Sequence, residues 1–168
     1  MQDLFCDITA KARTHEALIK KLKESGTLNF FLLNIDNFSN INNAYGYEVG
    51  TAVLYEFVKY LEIAKPETSL MYSCYSDKFV LIDERELDDT ELLSIAEAIL
   101  SFFSQVEFVV QDIEMRISLS IGISKDSGLI NISKAETAIE ELRKAKRNHC
   151  LIFNENSEFV KIKNSSRF

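Results

Sequence analysis

At 168 residues, with 46% hydrophobic and 27% charged positions, the chain has the size and composition of one soluble globular domain. Its formal net charge of −7 argues against a general nucleic-acid binder, which needs a basic face, but leaves room for a local basic pocket. The three cysteines, Cys6, Cys74 and Cys150, are far apart and lack metal-ligand spacing, which fits buried thiols in a reducing compartment. The N-terminus has no basic stretch followed by an apolar run. No apolar run approaches the ~20 residues of a membrane helix. A cytoplasmic location without membrane insertion is expected.

Residues 1–26 read as a lead-in and a helix at 15–24, where Leu18 and Leu22 lie one turn apart and Gly26 suits the position past the end. The nearly continuous apolar run 28–35 predicts a central strand buried on both faces. An asparagine-rich stretch, 36–48, leads into a helix over 49–64. Val49, Ala52, Val53, Phe57, Tyr60, Leu61 and Ala64 form its apolar stripe, and Pro66 closes it. Two short strands, 70–75 and 78–82, are rich in branched and aromatic residues and read as a hairpin. Its turn, Ser76-Asp77, lacks the glycine such turns favour.

A helix over 88–103 shows strict spacing of Leu92, Ile95, Ala96, Ile99, Leu100 and Phe103, with Asp88 and Glu91 placed as a capping box. Strands are predicted at 107–110 and 115–123, the second alternating apolar and polar residues. Ser133 is placed to cap a last helix with Glu136 three residues on, and a short strand follows at 150–153. The expected domain spans 1–153, with a polar tail at 154–168 that holds at most one edge strand at 158–163. This order predicts an α+β fold with a mostly antiparallel sheet flanked by helices.

The hairpin tip, Tyr75-Ser76-Asp77-Lys78-Phe79, resembles the signature hairpin of the diguanylate cyclase (GGDEF) family, where two glycines, two acids and a phenylalanine stand. Asp77 and Phe79 match; both glycines and one acid do not. The stretch from Asn34 resembles that family's Asp-x-Asp-x-Phe-Lys-x-Ile-Asn-Asp-x-Tyr-Gly-His-x-x-Gly-Asp segment, with Phe38, Ile41, Asn42, Tyr45, Gly46 and Gly50 in register. Further likeness lies in Ser120-Ile121-Gly122-Ile123, in the segment from Ala135 through Arg143 to Arg147-Asn148, and faintly in Asp7-Ile8-Thr9-Ala10 with Arg13. The resemblance covers about residues 7–153 and implies the palm-like fold shared with nucleotidyl cyclases and polymerases.

Such cyclases join two GTP molecules, each held by one monomer, by attack of a 3′-hydroxyl on an α-phosphate. The chemistry is mostly positioning plus charge neutralisation by two divalent metals, held by carboxylates. The resemblance places the metal ligands at Asn34, Asp77 and Lys78, of which Asp77 alone is a carboxylate. A lysine ammonium ~4 Å from a divalent ion is repelled by roughly 8 kcal/mol at an effective dielectric of about 20. The guanine-recognising pair falls on Asn42 and Thr51, where a hydroxyl replaces a carboxylate. The phosphate-holding lysine is Ser39, while the late basic pair persists as Arg143 and Arg147. Pro66-Glu67-Thr68-Ser69 stands where many members carry the inhibitory Arg-x-x-Asp, so product inhibition there is not expected.

The expected site residues are therefore the vestigial hairpin Tyr75, Ser76, Asp77 and Lys78, with Asn42, Thr51, Arg143 and Arg147 for a nucleotide. No metal or other cofactor is expected, with Mg²⁺ entering only alongside residual activity. Three readings stay open: a catalytically inactive regulatory or protein-interaction module of bacterial signalling, a metal-independent sensor of GTP or a related nucleotide, and a residual cyclase making cyclic di-GMP. The implied partners are GTP or a related nucleotide, a second copy, or a partner signalling protein.

Overall fold

The computed structural model describes residues 12–75, 77–145 and 149–155. Several expectations lie outside those residues: Cys6, the 7–10 motif, Ser76, Arg147-Asn148 and the strand at 158–163. Five helices and seven strands are present among the described residues: α1 (His15–Glu24), β1 (Leu28–Ile35), α2 (Phe38–Tyr45), α3 (Tyr47–Ala64), β2 (Leu70–Tyr75), β3 (Lys78–Asp83), α4 (Asp89–Ser104), β4 (Phe108–Val110), β5 (Ile113–Met115), β6 (Leu119–Asp126), α5 (Ile130–Ala145) and β7 (Cys150–Ile152).

Strand β1 is central, and all eight of its residues, six of them apolar, are buried. It pairs antiparallel with β3 on one side and β6 on the other. The five-stranded order is β2-β3-β1-β6-β7, with β7 parallel to β6, and β4-β5 form a separate two-stranded ribbon. Alternation along β1 sends its side chains to two cores. Phe31, Leu33 and Ile35 join Val53, Phe57, Ala96 and Phe103 of α3 and α4. Phe30 and Leu32 join Leu18 and Leu22 of α1 and Ala135 and Ile139 of α5. The fold is thus α+β, a mostly antiparallel sheet with helices on both faces.

The sequence expectations hold in outline and change in four places. The asparagine-rich stretch is itself a helix, α2, broken from α3 at Gly46, whose φ of 91° suits glycine. The next helix starts at Tyr47 rather than 49. The strand expected at 115–123 is two: β5 turns back on β4, and β6 begins at Leu119. Ser133 does not cap the last helix, which starts at Ile130; its hydroxyl donates to the Ile130 carbonyl oxygen at 3.1 Å from inside the helix. The Asp88–Glu91 capping box forms as expected.

One glycine sets how closely α5 lies on the sheet. A Cβ on Gly122 of β6 would stand 2.2 Å from the Ala135 carbonyl oxygen, so only glycine permits this approach. That contact carries the C-terminal half of α5, with Arg143, toward the end of β1 where the hairpin tip also lies.

Candidate functional site

The site is built where β1 ends. Asn34 faces Lys78 on β3 and Ser120 on β6. The Ile35 amide donates to the Asp77 carbonyl oxygen at 3.2 Å, which ties the hairpin turn to this end of β1. Phe79 anchors the tip in the core, its ring centroid 5.1 Å from that of Phe57. Tyr75 pairs with Lys78 across the hairpin, and the register shifts between Ser73 and Tyr75.

Asn34 is 3% exposed, and its Oδ1 has no hydrogen-bond partner among the described residues. Asp36 is committed elsewhere. Its carboxylate accepts from the hydroxyls of Ser118 at 3.0 Å and Ser120 at 2.7 Å, and its amide donates to the Ser118 carbonyl oxygen. It therefore fixes the entry of β6 rather than pointing a charge into the cleft. The two serines follow from the alternation of 116–123, which sets them on one face two residues apart.

Among the described residues, no carboxylate pairs with Lys78. Its Nζ stands 5.6 Å from the centroid of the Tyr75 ring, a cation–π arrangement. The Tyr75 ring is 53% exposed and leans on His15 of α1, with centroids 5.5 Å apart. His15 is a contact that sequence reasoning missed, since nothing local links residues so far apart in the chain. Cys74, expected as a buried thiol, is buried in β2. Burial pushes its thiol up to about 11, Glu136 of α5 adds to the rise and Lys78 opposes it. The thiol is therefore protonated at neutral pH and a poor nucleophile.

These residues do not suit a divalent metal. The three positions supply one buried neutral oxygen, one carboxylate and one ammonium, whereas hard cations need several oxygen ligands. Among the described residues no group of three or more His, Cys, Asp or Glu could hold a metal ion.

Of the residues expected to hold a nucleotide, Asn42 is on α2, Thr51 on α3 and Arg143 on α5. Asn42 of α2 is half-buried, and its carboxamide packs on the backbone of Gly50 of α3, where an added Cβ would fall 1.7 Å from Asn42 Oδ1. Thr51 follows on the same helix, half-buried. Arg143 is exposed near the C-terminus of α5, where the helix dipole favours a cation, and it pairs with Glu140 at 2.5 Å. Among the described residues, no helix is long and apolar enough to cross a membrane.

Comparison with known proteins agrees with this architecture. The family model described as "Diguanylate cyclase, GGDEF domain" matches residues 6–149. Diguanylate cyclase DgcZ of Escherichia coli K12 is 23% identical over 159 residues, covering 91% of this chain and 53% of the relative, so the chain spans about half that protein's length. The isolated GGDEF domain of TpbB (YfiN) from Pseudomonas aeruginosa superposes with a TM-score of 0.78 at 19% identity, covering 94% of this chain and 97% of that one. Diguanylate cyclase SiaD of the same species, solved in complex with its activator SiaC, superposes with a TM-score of 0.73 at 17% identity, covering 90% and 67%. With a sheet, helices and hairpin in the family's arrangement and a family match over most of its length, the chain belongs to the diguanylate cyclase GGDEF domain family.

Proposed function

We propose that this domain is a regulatory or protein-interaction module of bacterial signalling, built on the cyclase fold, that does not convert GTP to cyclic di-GMP. The observation that carries the reading is the Asn34–Lys78 pair. Asn34, with its buried amide oxygen, and Lys78 are register partners across β1 and β3, where the family places two acids. Replacing two carboxylates by an amide and an ammonium raises the local charge by three units, and phosphoryl-type chemistry depends on metals that this charge repels. Tyr75 adds a bulky ring where a glycine would let a nucleotide approach the backbone. The complex of SiaD with SiaC supports the kind of role proposed, since it pairs a diguanylate cyclase whose chain includes this fold with a protein activator. Incubation with GTP and either Mg²⁺ or Mn²⁺, read by mass spectrometry, is expected to give no cyclic di-GMP. Product above a no-enzyme control overturns the reading and returns the domain to the active cyclases.

A second reading rests on Asn42. Its carboxamide is held against Gly50, and this reading takes it, with Thr51 and Arg143, as part of a nucleotide subsite. In that reading GTP or a related nucleotide binds without a divalent ion, Lys78 taking phosphate oxygens directly. Calorimetry with GTP in EDTA and then in Mg²⁺ tests it. Equal binding in both supports the sensor, and binding that needs Mg²⁺ refutes it. No binding in either leaves the interaction module.

A further inference from the structure

The two edges of the five-stranded sheet differ. Beside β2, the backbone of Arg13 closes the edge. Its amide donates to the Met71 carbonyl oxygen at 2.9 Å, and its carbonyl oxygen accepts from the Ser73 amide at 2.7 Å. Beside β7, no strand pairs on the outer side among the described residues. The inner side is taken by β6. There the Ile121 amide donates to the His149 carbonyl oxygen at 3.0 Å, and the Phe153 amide to the Ile123 carbonyl oxygen at 2.8 Å. Strand backbone groups alternate in direction, so residues 149, 151 and 153 face β6 and the backbone groups of Cys150 and Ile152 point outward. The strand Cys150-Leu151-Ile152 carries no charge and no proline. Such an edge templates pairing with other chains unless something covers it.

The residues that follow in the chain suit that task. Glu158-Phe159-Val160-Lys161-Ile162-Lys163, outside the described residues, is rich in strand formers. Asn154-Glu155-Asn156-Ser157 before it has the composition and length of a hairpin turn. With Phe153 opposite Glu158, the register sets Phe159 opposite Ile152, Val160 opposite Leu151 and Lys161 opposite Cys150. Opposed side chains share a face of the sheet. Cys150 and Ile152 pack against the core on the α3 and α4 face. Phe159 would extend that apolar surface, and Lys161 would stand beside α4. A carboxylate is available there. Burial pushes the Cys150 thiol up, and Glu97 of α4 adds to the rise, which sets that carboxylate near the edge. Lys161 and Lys163 also give the new outer strand the charged residues that discourage further pairing.

We propose that residues 158–163 dock on β7 as an antiparallel sixth strand, with Phe159 beside Ile152 and Lys161 between Cys150 and Glu97, closing this edge against pairing with other chains. The proposal is independent of the hairpin site and of any nucleotide. Amide hydrogen exchange of the intact protein, read by NMR, tests it. The Cys150 and Ile152 amides are expected to exchange slowly. Phe159→Pro removes a donor from the new ladder and is expected to speed both by about ten-fold or more. The Ile121 amide, bonded on the inner side of β7, is expected to stay unchanged. Lys161→Glu, which opposes Glu97, is expected to speed the two outer amides by about three-fold, and Glu97→Lys in the same chain to restore them. Fast exchange at both outer amides, or slow exchange that Phe159→Pro leaves unmoved, overturns the proposal. So does a charge swap that restores nothing. Protection that rises with protein concentration also overturns it, since a second copy then covers the edge.

Discussion

Two glycines, Gly50 and Gly122, leave equally little room for a methyl group, yet alanine at each should have a different consequence. At Gly50 the atoms in the way belong to side chains: Asn42 Oδ1 at 1.7 Å and Cγ at 2.9 Å, then Phe38 Cζ at 3.4 Å. The Asn42 carboxamide can rotate away at an off-rotamer cost of about 0.5–1.5 kcal/mol. Gly50 lies in the first turn of α3, where alanine returns up to about 0.8–1.0 kcal/mol of helix propensity. The net change in stability should therefore be within about 1 kcal/mol of zero, while Asn42 loses its orientation. At Gly122 the obstacle is backbone, the Ala135 carbonyl oxygen at 2.2 Å and its carbon at 3.0 Å. Relief requires α5 to withdraw from β6 by roughly 1 Å, which forfeits dispersion along the whole contact. Overpacking of that kind costs about 1–3 kcal/mol or more. Urea melts of Gly50→Ala and Gly122→Ala, with the side-chain amide resonance of Asn42 followed in both, decide the matter. A loss at Gly50→Ala as large as that at Gly122→Ala would refute the claim that a rotatable side chain absorbs the clash.

Lys78→Glu alone is expected to leave the protein without cyclase activity, because Asn34 and Tyr75 fail independently of it and residues acting as a unit are not additive; turnover of GTP in that variant, by mass spectrometry, contradicts this. Phe79→Ala is expected to cost about 3–5 kcal/mol in a denaturant melt, since the ring is 2% exposed and packs on Phe57. Burial pushes the Asp83 carboxyl up, but hydrogen bonds from Arg85 and Thr68 outweigh it and hold the carboxyl below its ordinary value of 3.8. A group whose folded pKa is depressed contributes stability above the unfolded pKa, and that contribution is lost as the pH falls through the folded one. The stability gap between the wild type and Asp83→Asn is thus expected to be full at neutral pH and to close below pH 3.8; a gap that does not change with pH counts against the network.

How much of this was legible in the sequence depended on whether the deciding contact was local. The strand at 28–35 and the Asp88–Glu91 box announce themselves, because an apolar run and a three-residue cap need no distant partner. The β4–β5 ribbon does not. Its turn residues, Gln111 and Asp112, both take positive φ, 50° and 64°, without the glycine or asparagine that would have marked it. The early start of α5 was hidden for a different reason. Asn131 is fully buried, accepting from the Ser124 hydroxyl and donating to the carbonyl oxygens of Asp126 and Gly128, so side-chain bonds within the 124–131 turn begin the helix ahead of Ser133.

At the site, spacing singled out Asn34, Asn42 and the hairpin but treated Tyr75 and Lys78 as two separate losses. In the fold they form one contact. Lys78 lies over the ring that Tyr75 supplies, and that ring is braced by His15. A cation–π pair at an exposed position contributes about 0.5–1 kcal/mol. A glycine at position 75 would leave the ammonium without its ring, and a glutamate at 78 would remove the cation. Each departure from the family pattern is therefore stabilised by the other, and neither reverts alone without cost. That mutual support is a physical reason for the hairpin to keep Tyr75 and Lys78 together.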